Sequence, residues 1–229
     1  MVEKPTRILL KLSGEALKGE NSPFSPFSLQ RICESIASVP IQWAIVVGAG
    51  NLIRGARSPW LDRVEADTMG MLATVLNALA VQSCLVSLGK SVLIQSAVDT
   101  QLTSPVSPRQ AQAALAAGTI VIFAGGTGSP LVTTDTAAAI RAVSIEADLL
   151  IKGSNVAGVY DGDPSKDPSA SLIGELTYDD FLARRYGVMD QVAVEICREH
   201  GMPIEVFNLE QPHALALIAN GKKVGTRIQ

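Results

Sequence analysis

The sequence predicts a three-layer α/β sandwich, with helices on both faces of a mainly parallel β-sheet. Two observations predict it. Short, continuous, β-branched apolar runs alternate with longer stretches of helical spacing, as strands covered on both faces and their crossover helices do. Three of the apolar runs also end in glycine-bearing turns, KLSG at 11–14, GAGN at 48–51 and GGTG at 125–128. No repeat of fixed period and no linker interrupts the pattern, so the 229 residues read as one domain.

The elements follow in order. Residues 6–12 are the first strand. Residues 19–27, rich in Ser, Pro and Phe, are a loop without an assigned role, and 29–39 has helical spacing. Residues 43–47 are a strand that enters the glycine turn at 48–55. Residues 64–88 form a long helix. Its stretch 68–89 has no charge and is long enough to span a bilayer, but Thr74, Asn77, Gln82, Ser83 and Ser87 within it point to a helix buried in the core or at a subunit interface. A strand at 92–95, a helix at 109–117 and a strand at 119–124 lead into the turn at 125–130. A helix at 134–146 and a strand at 149–152 come next. Residues 155–168, dense in Gly, Asp and Pro, are a loop or hairpin. Helices at 178–186 and 189–200, a strand at 204–207 and a helix at 212–220 complete the chain.

Composition narrows the function. Nineteen Lys and Arg against 22 Asp and Glu give a net charge of −3, which argues against a general nucleic-acid binder, since that would show a basic face. Charged residues are 18% of the chain, below the usual quarter, which suits a surface partly covered by other subunits. Cys33, Cys84 and Cys197 are far apart and no CxxC occurs, so neither a disulfide framework nor a zinc site is expected, and a reduced cytoplasmic setting fits. No signal peptide is expected, because the apolar run at 8–10 stops at Lys11. His200 and His213, the two histidines, read as surface residues.

The three turns carry the chemistry. Open α/β sheets bind ligands beyond the carboxyl ends of their strands. Glycine there lets backbone N–H groups approach phosphate oxygens, and a following helix adds its positive end. Glycine also ends strands for steric reasons alone, but three such turns point to a phosphate-rich ligand. The P-loop string GxxxxGK[ST] is missing, and GxGxxG fails at Ile53. The candidate charges are Lys11, Arg54, Asp67, Asp135, Lys152 and Asp163. Lys11 and Lys152 each close an apolar strand, either as lysines reaching the surface or as a clamp on a transferring phosphoryl group. Asp135 either caps a helix or holds those two lysines in place.

The segments KLSGEAL at 11–17, GAGNLIRG at 48–55, ADTMGMLATVLNALA at 66–80, GTGSPLVTTDTAA at 126–138, KGSNVAGVYDGDPSKDP at 152–168 and VMD at 188–190 resemble the bacterial uridylate (UMP) kinases, a family of the amino acid kinase superfamily. The resemblance runs from about Arg7 to Phe207. It implies transfer of the ATP γ-phosphoryl group to UMP, with an acceptor half at about 1–145 and an ATP half at about 146–229. It further implies that Lys11, Arg54, Asp135 and Lys152 are catalytic. By the same resemblance Lys11, Leu12, Ser13, Gly14, Gly50, Arg54, Ser154, Asn155, Tyr160 and Asp163 meet ATP. Ala49, Asp67 and the run Thr127, Gly128, Ser129, Pro130, Leu131, Val132, Thr133 and Thr134 meet UMP. Mg²⁺ is expected on the ATP phosphates with no protein cage of its own, and a homohexamer is implied. The competing readings are another member of the superfamily that phosphorylates a carboxylate or carbamate, and a nucleotide-binding protein without turnover.

Two departures from the family pattern bear on these expectations. Ala49 stands where three glycines are usual, harmless unless that residue needs φ > 0. Activation by GTP, which the resemblance implies, is expected to be weak or absent, because residues 64–89 hold no Lys or Arg for a triphosphate to pair with.

Overall fold

Alternate residues of the central strand feed two different cores. In the computed structural model, which describes residues 4–53, 60–162, 164, 166, 167 and 169–229, strand β1 (Arg7–Leu12) sends Ile8, Leu10 and Leu12 to one side and Leu9 to the other. The first side packs against α1 (Pro26–Ala37), α2 (Arg63–Ser87) and α7 (Ala214–Ala219). The second packs against α3 (Pro108–Ala116), α4 (Thr134–Ser144), α5 (Tyr178–Arg184) and α6 (Gln191–Glu199). Those are the three layers the alternating pattern predicts.

The remaining strands of the large sheet are β2 (Gln42–Val47), β3 (Val92–Ser96), β4 (Ser104–Pro105), β5 (Ile120–Ala124), β6 (Leu149–Ser154), β9 (Glu175–Leu176), β10 (Ile204–Asn208) and β11 (Thr226–Ile228). Among them lies the separate hairpin β7 (Val159–Tyr160) and β8 (Leu172–Ile173). The sheet order is β4-β3-β5-β2-β1-β6-β10-β11-β9, and only the β10–β11 pair is antiparallel. One continuous sheet therefore runs through both the 1–145 and 146–229 portions.

Several boundaries differ from the expected ones, each for a local reason. Helix α1 starts at Pro26 rather than 29. Ser25 accepts the Ser28 N–H at 3.1 Å as N-cap, and proline occupies the first helical position. Helix α5 stops at Arg184 because Arg185 is left-handed at φ 52°, and α7 starts at Ala214 because His213 is left-handed at φ 59°. Both histidines are exposed, as expected. Strands β4, β8, β9 and β11 lie where the sequence predicts none, β8 falling beyond the 155–168 loop or hairpin.

Helix α2 buries Ala66, Ala73, Val75, Ala78, Val81 and Leu85 in the core and exposes Val64, Met69, Leu72, Leu76 and Val86. By length and composition it could cross a membrane. Its two buried polar side chains instead tie down glycine turns. Thr74 accepts the Gly125 N–H at 2.7 Å. Asn77, fully buried, donates to the Gly48 C=O and to Asn51 Oδ1, both at 2.7 Å, and accepts from Asn51 Nδ2 at 3.0 Å. The other Asn51 amide hydrogen reaches the Pro23 C=O at 2.8 Å, so the 19–27 loop is fastened to the same turn. Asn77→Leu strands the buried Gly48 carbonyl and the half-buried Asn51 amide, and is expected to cost about 1–3 kcal/mol of stability. A lower urea midpoint at unchanged m-value would register it; an unchanged midpoint would show that water replaces the amide.

Candidate active site

Lys11 and Lys152 sit side by side. Their strands β1 and β6 pair in parallel, with Lys11 opposite Lys152 in register. Strand alternation puts both side chains on the α4 face, and Asp135 in the first turn of α4 meets both. Lys11 Nζ lies 2.8 Å from Asp135 Oδ1 as an ion pair, while Lys152 Nζ donates to Asp135 Oδ2. All three side chains are only 10–13% exposed. Burial pushes the Asp135 carboxyl up, but the two ammonium groups outweigh it and hold the pKa at about 2. Burial also pushes the Lys152 ammonium down, against the pull of Asp135.

Asp135 is not the cap of α4. Thr133 fills that place, its hydroxyl accepting the Asp135 N–H at 3.1 Å, which leaves the carboxylate free for the lysines. The Thr133 hydroxyl in turn donates to Asp190, as does Thr136 at 2.5 Å. Asp190 Oδ1 caps α6 through the Val192 N–H at 2.8 Å and the Ala193 N–H at 3.3 Å. One carboxylate thus pins two helix N-termini beside the lysine pair. The VMD motif contains Asp190, but no role was expected for it; an Asp directly before a helical run was the available signal.

Two cavities adjoin this centre. The larger, about 960 Å³, is lined by Lys11, Ser13, Lys152, Ser154, Asn155 and Tyr160, among others. Of the residues expected to meet ATP, Leu12 is fully buried in the core and lines neither cavity, and Gly50 lines the smaller one. Gly14 packs between turns: a Cβ there would lie 2.6 Å from Gly50 N and 2.8 Å from Gly48 O, so only glycine permits the contact. Arg54 and Asp163 lie outside the described residues.

The smaller cavity, about 310 Å³, is lined by Ala49, Gly50, Asp67, Ser129, Val132, Thr133 and Thr134, together with Arg63. Thr127, Gly128, Pro130 and Leu131 are not in its wall. Asp67 Oδ2 accepts from Arg63 Nε at 2.8 Å and from the Leu131 N–H at 2.9 Å, with Leu131 left-handed at φ 68°. Asp67 therefore also latches the third turn to α2, and Arg63, one helical turn away, is a wall residue the sequence reading missed. The i, i+4 spacing to Asp67 was its signal. Ala49 is not among the left-handed residues, so alanine brings no strain there.

Comparison with known proteins decides the family. The amino acid kinase family model matches residues 6–208. The uridylate kinases of Stutzerimonas stutzeri and Pseudomonas aeruginosa are each 45% identical over 97% of this chain, covering 93% and 94% of their own lengths. This chain belongs to the uridylate kinase branch of the amino acid kinase family. Solved structures agree. UMP kinase from Bacillus anthracis superposes with a TM-score of 0.94 at 35% identity, covering 99% of this chain and 97% of that one. UMP kinase from Ureaplasma parvum gives 0.91 at 33% identity, covering 97% and 98%.

Asp135→Asn leaves two buried ammonium groups facing each other without a counter-charge, and is expected to destabilise the fold by about 3–5 kcal/mol. The Asp135 pKa of about 2 lies below its ordinary value of 3.8. Its ionised form therefore stabilises the fold fully above about pH 4, and this contribution is lost as pH falls towards 2. Urea unfolding followed across that range should show the gap between wild type and variant narrowing. A gap that is the same at every pH would contradict a charged Asp135.

Proposed function

We propose that the protein transfers the γ-phosphoryl group of MgATP to UMP, giving ADP and UDP in pyrimidine nucleotide synthesis. The observation that carries this reading is the in-register pair Lys11 and Lys152 in the wall of the larger cavity, held by Asp135, which directly follows Thr133 and Thr134 of the smaller cavity's wall. The larger cavity takes ATP, with Tyr160 beside the adenine, Ser154 and Asn155 at the adenosine, and Ser13 with the 11–14 turn at the phosphates. The smaller takes UMP, with Asp67 at the ribose hydroxyls and Ala49, Gly50, Ser129, Val132, Thr133 and Thr134 around phosphate and base.

The chemistry asks little of the protein beyond placement and positive charge. A UMP phosphate oxygen is already an anion, so no base is needed. It bonds to the γ-phosphorus as the bond from that phosphorus to the β–γ bridging oxygen breaks, and the electron pair leaves on ADP. Lys11 and Lys152 neutralise charge on the moving group, joined by Arg54 in the family pattern, and Asp135 fixes where the ammonium groups stand. Among the described residues no three acidic, His or Cys side chains gather into a cation cage. Mg²⁺ bound on the ATP phosphates would shield their charge, a role that needs few protein ligands.

Asp67, paired with Arg63 in the wall of the smaller cavity, offers carboxylate oxygens to ribose hydroxyls, which a small carboxylate or carbamate acceptor lacks. The deciding measurement is ADP release from MgATP offered UMP, CMP, aspartate, glutamate or carbamate in parallel; turnover with an acid and none with UMP would overturn the reading. In the same assay Lys11→Ala should lower kcat by on the order of a hundredfold. Asp67→Ala should raise KM for UMP and leave KM for ATP near its original value. Asp62, not Asp67, is the N-cap residue of α2, so loss of stability with KM for UMP unchanged would count against a ribose contact.

A cytoplasmic homohexamer completes the proposal. Among the outward apolar side chains of α2, Leu72 and Leu76 are 54% and 55% exposed and suit burial against a second copy. Light scattering should report a multimer. Initial rates should change little with added GTP, since α2 bears no cation beyond Arg63. A several-fold activation would place the effector's cationic partners elsewhere.

A further inference from the structure

The C-terminal strand carries the hairpin that borders the larger cavity. Thr226 on β11 is fully buried, and its hydroxyl touches both strands of the β7–β8 hairpin. It accepts the Val159 N–H at 2.7 Å and donates to the Ile173 C=O at 2.5 Å. Val159 and Ile173 stand opposite each other in that hairpin. Further along, the Arg227 N–H donates to the Gly174 C=O at 3.0 Å and the Gln229 N–H to the Leu176 C=O at 3.1 Å.

The other edge of β11 is locked to the body of the sheet. Arg227 pairs with Glu205 of β10 at 2.6 Å, the two side chains being 6% and 0% exposed, and Glu205 also accepts the Val224 N–H at 2.8 Å. Contact between hairpin and strand is close enough that a Cβ on Gly158 would fall 2.4 Å from Thr226 Oγ1. Gly158, Val159, Tyr160, Asp161 and Gly162 all line the larger cavity.

We propose that Thr226 is a positioning residue for the nucleotide donor. Its hydroxyl sets the height of the β7–β8 hairpin, and so of Tyr160, over the larger cavity. The inference rests on the reading of that cavity as the ATP site. The physical basis is the short reach of the contact. A methyl group in place of the hydroxyl leaves a buried N–H and a buried C=O unpaired. It also demands a carbon–nitrogen separation near ordinary van der Waals distance, roughly 3.5–4 Å, so the hairpin must move away from β11. The lysine pair, the Asp67 latch and the smaller cavity share no hydrogen bond with Thr226, so acceptor binding should be spared.

The test uses the full chain. Calorimetric titration with MgATP alone is set beside steady-state kinetics with both substrates varied, for wild type, Thr226→Val and Thr226→Ser. Thr226→Val is expected to weaken ATP binding by about tenfold, the equivalent of one buried hydrogen bond. KM for UMP and kcat at saturating ATP should stay unchanged, and Thr226→Ser should restore ATP affinity. Should valine prevent folding, Thr226→Ala, which removes the hydroxyl without adding bulk, carries the same expectation. Wild-type ATP affinity in the hydroxyl-free variant overturns the inference. So does a parallel rise in KM for both substrates that serine does not correct, which would mark a merely structural residue. Wild-type protein that binds no MgATP removes the donor-site reading itself, and this inference with it.

Discussion

Two ammonium groups on neighbouring strands, in register and nearly out of water, repel each other unless something between them is negative. Strands in a sheet stand about 4.8 Å apart, so the backbone offers Lys11 and Lys152 no means of separating. The Asp135 carboxylate removes the conflict, and the rest of the site is arranged around keeping it there. Thr133 takes over the capping of α4, which frees Asp135. Asp190 binds Thr133 and Thr136 and caps α6 with its second oxygen, so the helix that delivers the carboxylate cannot shift without its neighbour. A charge constraint a few ångströms wide thus dictates strand register on one side and the docking of two helices on the other.

The glycine turns obey a second constraint. Turns 11–14 and 48–51 touch backbone to backbone at Gly14, and the third turn is held by Thr74 and by Asp67 through Leu131. Three side chains that secure them, Asp67, Thr74 and Asn77, come from α2. That explains why a helix otherwise apolar enough for a bilayer carries Thr and Asn on its buried face. Those groups bond to backbone that would otherwise be left unpaired in the interior.

Much of this was legible in the chain. Strands buried on both sides appear as unbroken apolar runs, so β1, β2, β5, β6 and β10 were expected within a residue or two. Lys11 and Lys152 were conspicuous because each ends such a run. The misses share a physical cause. Strands of two or three residues, such as β4, β9 and β11, have no period to read. The partners of Asp190 and Thr226 lie 54 and 67 residues away, and a hydroxyl or carboxylate satisfied across the fold looks like any other polar residue in sequence. Asp135 was ambiguous for the same reason: cap and counter-ion look alike until Thr133 is seen to cap. The start of α1 was missed differently. Ser25-Pro26 within SPFSPF is a local capping signal hidden in loop-like composition.

Thr74 and Asn77 are three residues apart on α2, about 4.5 Å along its axis and within a turn of each other. Each grips a different glycine turn, so the helix acts as a ruler whose graduations are side chains. A substitution on its outer face leaves the ruler intact. A single-residue insertion or deletion between the two positions rotates one grip by about 100° relative to the other and shifts it by about 1.5 Å. The spacing of α2 is thus as much a part of the site as any residue in the cavity wall, and it admits changes of side chain far more readily than changes of length.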